Sequence, residues 1–165
     1  MSSLKKWILG VVVLLFCVCA VQTLALMPPK VYHEKIKKSL VKVTAKVISI
    51  EITGNSKHAV FKKVKFQLIK SYGKITPPKI FIGHCLSAGK KSICGGDIYY
   101  NPEKNDVVFV TLAGGGKNTS NDCGDFTSYT KLTEKLKSTL NKKGLSALSY
   151  GIGSVYIKKE NGTKL

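Results

Sequence analysis

The sequence predicts a mainly β protein, a small antiparallel barrel with one C-terminal flanking helix. Two long segments with a two-residue apolar period follow one another between Leu40 and Tyr72. A later run, Val107-Val108-Phe109-Val110, is apolar on both faces, as in a strand inside a closed barrel or sandwich. Only Thr127 to Gly144 spaces its leucines as a helix does. Strands in succession with one late helix, and no internal repeat, exclude a βαβ layout.

In chain order, Met27 to Lys38 is a basic, proline-started lead-in that predicts a short helical turn. From Leu40, the residues Val41, Val43, Ala45 and Val47 share one strand face, with Lys42, Thr44 and Lys46 on the other. A polar turn, Thr53 to Lys57, follows. Ala59 to Tyr72 is the second strand, with Val64, Phe66 and Leu68 alternating against Lys63, Lys65 and Gln67, so the two form a long hairpin with its apolar face inward. Gly73 and Pro77-Pro78 break the chain, and Lys79 to Gly83 predicts a short third strand. A loop carrying Cys85 and Cys94 leads through Gly96 to Tyr100, and Asn101 to Asn105 turns back into a strand over Asp106 to Leu112, ended by Gly114 to Gly116. In the predicted helix Leu132, Leu136 and Leu140 lie on one face beside Tyr129, with Asp125 or Thr127 as cap and Lys142-Lys143-Gly144 at the end. A last strand is predicted over Leu148 to Ile157.

The chain has 165 residues and a formal net charge of +18, with 27 Lys and Arg against 9 Asp and Glu, and every one of those cations is lysine. Hydrophobic content of 44% excludes a disordered polybasic tail, and the length excludes a large multidomain enzyme. Residues 1–20 read as a secretory signal peptide, with Lys5 and Lys6 ahead of the apolar run Trp7 to Phe16; small residues place cleavage after Ala20 or after Ala25. Residues 27–157 then form one domain and 158–165 a polar tail. The chain is expected to be secreted and extracellular. Its charge favours polyanions: acidic glycans, acidic proteins or anionic membrane surfaces. Without arginine forks for guanine, sequence-specific nucleic-acid reading is not expected.

Cleavage at either site discards Cys17 and Cys19 and leaves Cys85, Cys94 and Cys123, enough for one bridge in an oxidising compartment. Three pairings exist; Cys94–Cys123 is favoured, with Cys85 buried and inert or paired to another chain. No spacing suits a structural zinc site. Of the three histidines, His33, His58 and His84, only His84 adjoins a cysteine, and neighbours on a strand point to opposite faces. The Gly114-Gly115-Gly116-Lys117 run misses the phosphate-loop pattern at Thr111 and Asn118. No catalytic residue, metal ligand or cofactor is therefore expected, and the chain reads as a non-enzyme. Asn118 and Asn161 head N-glycosylation sequons.

Leu40 to Ile50, with Val64-Lys65-Phe66-Gln67-Leu68-Ile69-Lys70-Ser71-Tyr72-Gly73, resembles the opening hairpin of netrin-like modules and tissue inhibitors of metalloproteinases. Cys94-Gly95, the strand Asp106 to Leu112 and Cys123-Gly124-Asp125-Phe126 resemble the later landmarks of those families in the same order, so that the similarity covers about residues 39 to 140. The resemblance implies a five-stranded OB-type barrel. In the inhibitors a mature Cys-x-Cys terminus chelates the protease zinc. Carried over, Cys17 and Cys19 would bridge to Cys94 and Cys123, which requires cleavage after Phe16.

The expected function is thus a secreted, netrin-like binding module for an extracellular protein or acidic glycan, with Lys62, Lys63, Lys65, Lys90 and Lys91 as polyanion contacts. The alternatives are a metalloproteinase inhibitor and a cationic membrane-active or defence protein. The latter would use Lys131, Lys135, Lys137, Lys142 and Lys143 of the amphipathic helix, whose leucines are expected instead to pack on the barrel.

Overall fold

The computed structural model describes residues 28–89, 98–114 and 121–159. The elements run α1 (Pro29–Lys38), β1 (Val41–Asn55), β2 (Ala59–Ser71), β3 (Ile80–Ala88), β4 (Val107–Leu112), β5 (Asp122–Lys131), α2 (Glu134–Lys143), a 3-10 turn (Gly144–Ala147), β6 (Leu148–Tyr150) and β7 (Val155–Ile157). The first five strands close a barrel in the order β1-β2-β3-β5-β4, with β4 returning to β1. Four pairings are antiparallel and one, β3 with β5, is parallel. The expected five-stranded OB-type barrel with a C-terminal flanking helix is therefore the observed architecture.

Alternation builds the core. Val41, Val43, Ala45 and Val47 of β1, Val64 and Phe66 of β2, Phe81 of β3, and Val108, Val110 and Leu112 of β4 are all buried within one cluster. Phe66 stacks on Phe81 with ring centroids 5.1 Å apart. Gly83 is needed here, because a Cβ at this position would collide with the Leu112 and Phe126 side chains. The fifth strand, however, comes from a segment expected to begin the helix. Ser128 to Lys131 pairs residue by residue with β4, placing Tyr129 opposite Val110 and Lys131 opposite Val108, and past an irregularity at Thr127 the strand sets Phe126 opposite Leu112. The β-branched and aromatic residues Thr127, Tyr129 and Thr130 suit a pleated surface, and the free edge of β4 outweighs the local helical spacing. Lys131 accordingly lies on a strand, where it pairs with Glu103 at 2.8 Å and Asp106 at 3.2 Å.

The helix α2 starts later. Thr133 is its cap, accepting the Leu136 backbone N–H at 3.2 Å, and Gly144 ends it at φ 64°, a left-handed conformation that glycine adopts freely. Leu136 and Leu140 pack, as expected, against the outside of the barrel, where Phe109 joins Ile36, Leu148 and Val155 in a second core. Phe109 points outward while Val108 and Val110 point inward, which explains a strand apolar on both faces.

This second core corrects other expectations. Lys42 and Thr44 were expected on a solvated face, yet both are buried. The Lys42 ammonium donates to the Lys37 carbonyl at 2.9 Å and lies 5.7 Å from the Tyr150 ring centre. Burial, with Lys74 nearby, lowers its pKa. The lead-in is a ten-residue helix seated by Tyr32 and Ile36, one turn apart. The last strand is instead a two-stranded hairpin, β6 with β7, bent at Gly153 where φ is 66°.

Candidate functional site

The strand β3 extends from Ile80 to Ala88, so Cys85 lies in a strand and not in the expected loop. Its register with β2 sorts the predicted lysines. Lys62 pairs with Cys85, Lys63 with His84 and Lys65 with Ile82. Strand alternation puts Lys62 on the same face as the buried Val64 and Phe66, and puts Lys63 and Lys65 on the outer face. The three are thus not one patch. On the outer face they are joined by the exposed Lys46, which stands opposite Gln67. The alternation of Lys42, Thr44 and Lys46 in the sequence carried that signal only in part, since Lys42 is covered.

His84 and Asp122 meet on the same outer face, with His84 Nε2 2.7 Å from Asp122 Oδ2. The other carboxylate oxygen accepts the Gly124 N–H at 2.9 Å. Partial burial acts to raise the Asp122 pKa, but the hydrogen bonds from His84 and Gly124, with the charge of Lys63, hold it below the ordinary carboxylate value. His84 and Cys85 thus leave β3 on opposite faces, the imidazole bonded to Asp122 and the thiol buried, and both border the cleft where β3 and β5 part. Burial pushes the Cys85 thiol up to about 12 against the opposing charge of Lys62, and the Cys123 thiol up to about 11. Both are too weakly ionised near neutral pH to act as nucleophiles.

The parallel pairing of β3 with β5 is short. It joins Ile82 to Asp122 and His84 to Asp125, after which β3 continues along β2 while β5 turns along β4. Where the two strands part, a cleft of about 380 Å³ opens in the barrel wall. Phe61, Leu86, Ile98 and Phe126 give it an apolar lining. Lys35 from α1 and Lys62 from β2 bring two ammonium groups, and Asp125 brings one carboxylate. Tyr100 is fixed within it: its backbone N–H donates to the Leu86 carbonyl at 2.7 Å, and its carbonyl accepts from the Ser87 hydroxyl. Burial raises the Tyr100 pKa, so its phenol is neutral. Sequence reading missed this cleft because its lining comes from six separate segments; the one available signal was a lysine, Lys62, in phase with inward-facing residues.

Cys85 and Cys123 are unbridged among the described residues. Cys94 lies outside them, and with it the expected Cys94–Cys123 pairing. Cys17, Cys19, Lys90, Lys91, Asn118 and Asn161 also lie outside the described residues. Among the described residues no three His, Cys, Asp or Glu side chains converge as a metal site requires, and no helix is long and apolar enough to cross a membrane.

Fold and site together define a small OB-type barrel with a lysine-bearing outer face and a parted wall. No protein-family model, curated protein or solved structure matches this chain.

Proposed function

We propose that this protein is an extracellular, non-enzymatic binding module that docks on acidic glycans through the outer face of β1 and β2. The observation that carries this reading is the placement of Lys46, Lys63 and Lys65 on one outward face of the hairpin, with Val43, Ala45, Val47, Val64 and Phe66 buried on the other. The hairpin fixes the backbone spacing of these lysines, so only their side chains have to be ordered against a chain of sulfates or carboxylates. The chain's charge of +18, which becomes +16 when Lys5 and Lys6 leave with the signal peptide, adds long-range attraction that salt weakens within a Debye length of about 8–10 Å. The OB-type strand order agrees with the netrin-like resemblance. The apolar run Trp7 to Phe16 behind Lys5 and Lys6 adds the expectation of a secreted chain.

Heparin affinity tests the proposal. The folded protein is expected to be retained on immobilised heparin and released by salt, and Lys63→Glu with Lys65→Glu should elute at distinctly lower salt. Equal elution of this variant and of one with Lys135→Glu and Lys137→Glu on α2 would show that net charge, and not this face, is read.

A further inference from the structure

We propose that the cleft between β3 and β5 binds a small amphipathic acid, an aliphatic or aromatic body bearing one carboxylate, which Lys62 and Lys35 receive. This site is separate from the outer lysine face and does not depend on the glycan reading.

Size and lining come first. At about 380 Å³ the cleft falls within the range of small-molecule pockets, which are mainly apolar with a few placed polar groups. Phe61, Leu86 and Phe126 offer both aromatic and aliphatic surface to an apolar body.

The position of Lys62 supplies the charge argument. It stands in phase with Val64 and Phe66, both fully buried, at the point where the barrel wall parts. Lys62 itself is half-buried there, and drawing an ammonium partly out of water is costly unless an anion pairs it. Among the described residues Lys62 has no hydrogen-bond or ion-pair partner. Its cross-strand neighbour Cys85 is a neutral thiol, so it supplies no counter-charge. The one carboxylate of the lining, Asp125, is exposed on β5. His84 also lines the cleft, but its ring is engaged by Asp122, so Lys62 and Lys35 against Asp125 leave one positive charge in excess, which a monoanion balances. A long polyanion matches neither the volume nor the apolar walls.

The test uses 4-phenylbutyrate and its neutral amide, titrated calorimetrically into the folded protein at moderate salt. Saturable one-to-one binding of the acid is expected, with the amide bound at least about tenfold more weakly, a difference of about 1.4 kcal/mol. Lys62→Met should lower affinity for the acid by a similar factor and leave the weak amide binding unchanged, whereas Lys63→Met on the outer face should change neither. Absence of saturation at millimolar acid, equal binding of acid and amide, or equal losses in Lys62→Met and Lys63→Met would each overturn the proposal. If Lys62→Met does not fold, the comparison of acid with amide on the unaltered protein decides the matter alone.

Discussion

From Val41 to Lys46, β1 is flanked by β4 on one side and β2 on the other, and its inward side chains are sealed from water. From Ser49 to Asn55 it keeps only β2 as a strand partner among the described residues, and most of its side chains are exposed. The same division runs through β3, where Phe81 and Gly83 are enclosed and Cys85, the far edge of the same core, borders the cleft. One end of each strand therefore carries stability while the other carries surface and cavity. The difference comes from whether the sheet is closed on both edges: closure buries the alternating face, and a strand that outruns its neighbour presents that face to ligand or solvent.

The sharpest way to break this division is to truncate one aromatic residue at each end. Phe66→Ala at the closed end should cost about 3–5 kcal/mol, the range for emptying a packed aromatic site. Phe61→Ala, at a residue 49% exposed at the parted end, should stay within about 0.5 kcal/mol. Denaturant unfolding of both variants measures this directly, and comparable losses would erase the distinction between the ends. Gly83→Ala comes next. Its added methyl must displace Leu112 and Phe126, so a loss of about 1–3 kcal/mol is expected in the same assay. An unchanged midpoint would mean that the closed end has slack that the geometry does not show.

A smaller loss than at Phe66 or Gly83 belongs to Asp122, whose side chain is 44% exposed. Its carboxyl is depressed in the fold, so the stabilisation is fully present above the ordinary carboxylate value and is lost as pH falls through the lower folded value. Asp122→Asn should therefore reduce stability at neutral pH by less than about 1 kcal/mol, given solvent screening. The gap between variant and parent should close in acid. A gap that widened in acid would reverse the assigned sign.

Much of the barrel was legible because alternation is a local signal. The inward set Val41, Val43, Ala45 and Val47, the long hairpin, and the two-faced Val107 to Val110 run follow from a period of two. Tyr129 and Lys131 misled because Leu132, Leu136 and Leu140 extend a helical spacing back into β5, and only the open edge of β4 decides against it. Lys42 misled because only the tertiary fold shows that α1 turns back over it, and β6, a three-residue strand, lies far along the chain. Of the site, the outer positions of Lys63 and Lys65 were legible from phase, whereas grouping Lys62 with them ignored phase. The cleft exists only where β3 and β5 separate, which requires the topology.

The short parallel seam also bears on how the chain assembles. The β1–β2 hairpin joins neighbours across a turn of three residues, Ser56 to His58, and such hairpins form in about 1–10 μs. The seam must bring Ile82 to Asp122 across a long excursion of chain, whose closure entropy is paid before any contact rewards it. The barrel is therefore expected to zip from the hairpin outward and to lock last at β3 and β5. In the finished molecule this seam should reopen first, with the backbone amide of Ile82, bonded to Asn121 across it, exchanging with solvent ahead of the β1–β4 amides.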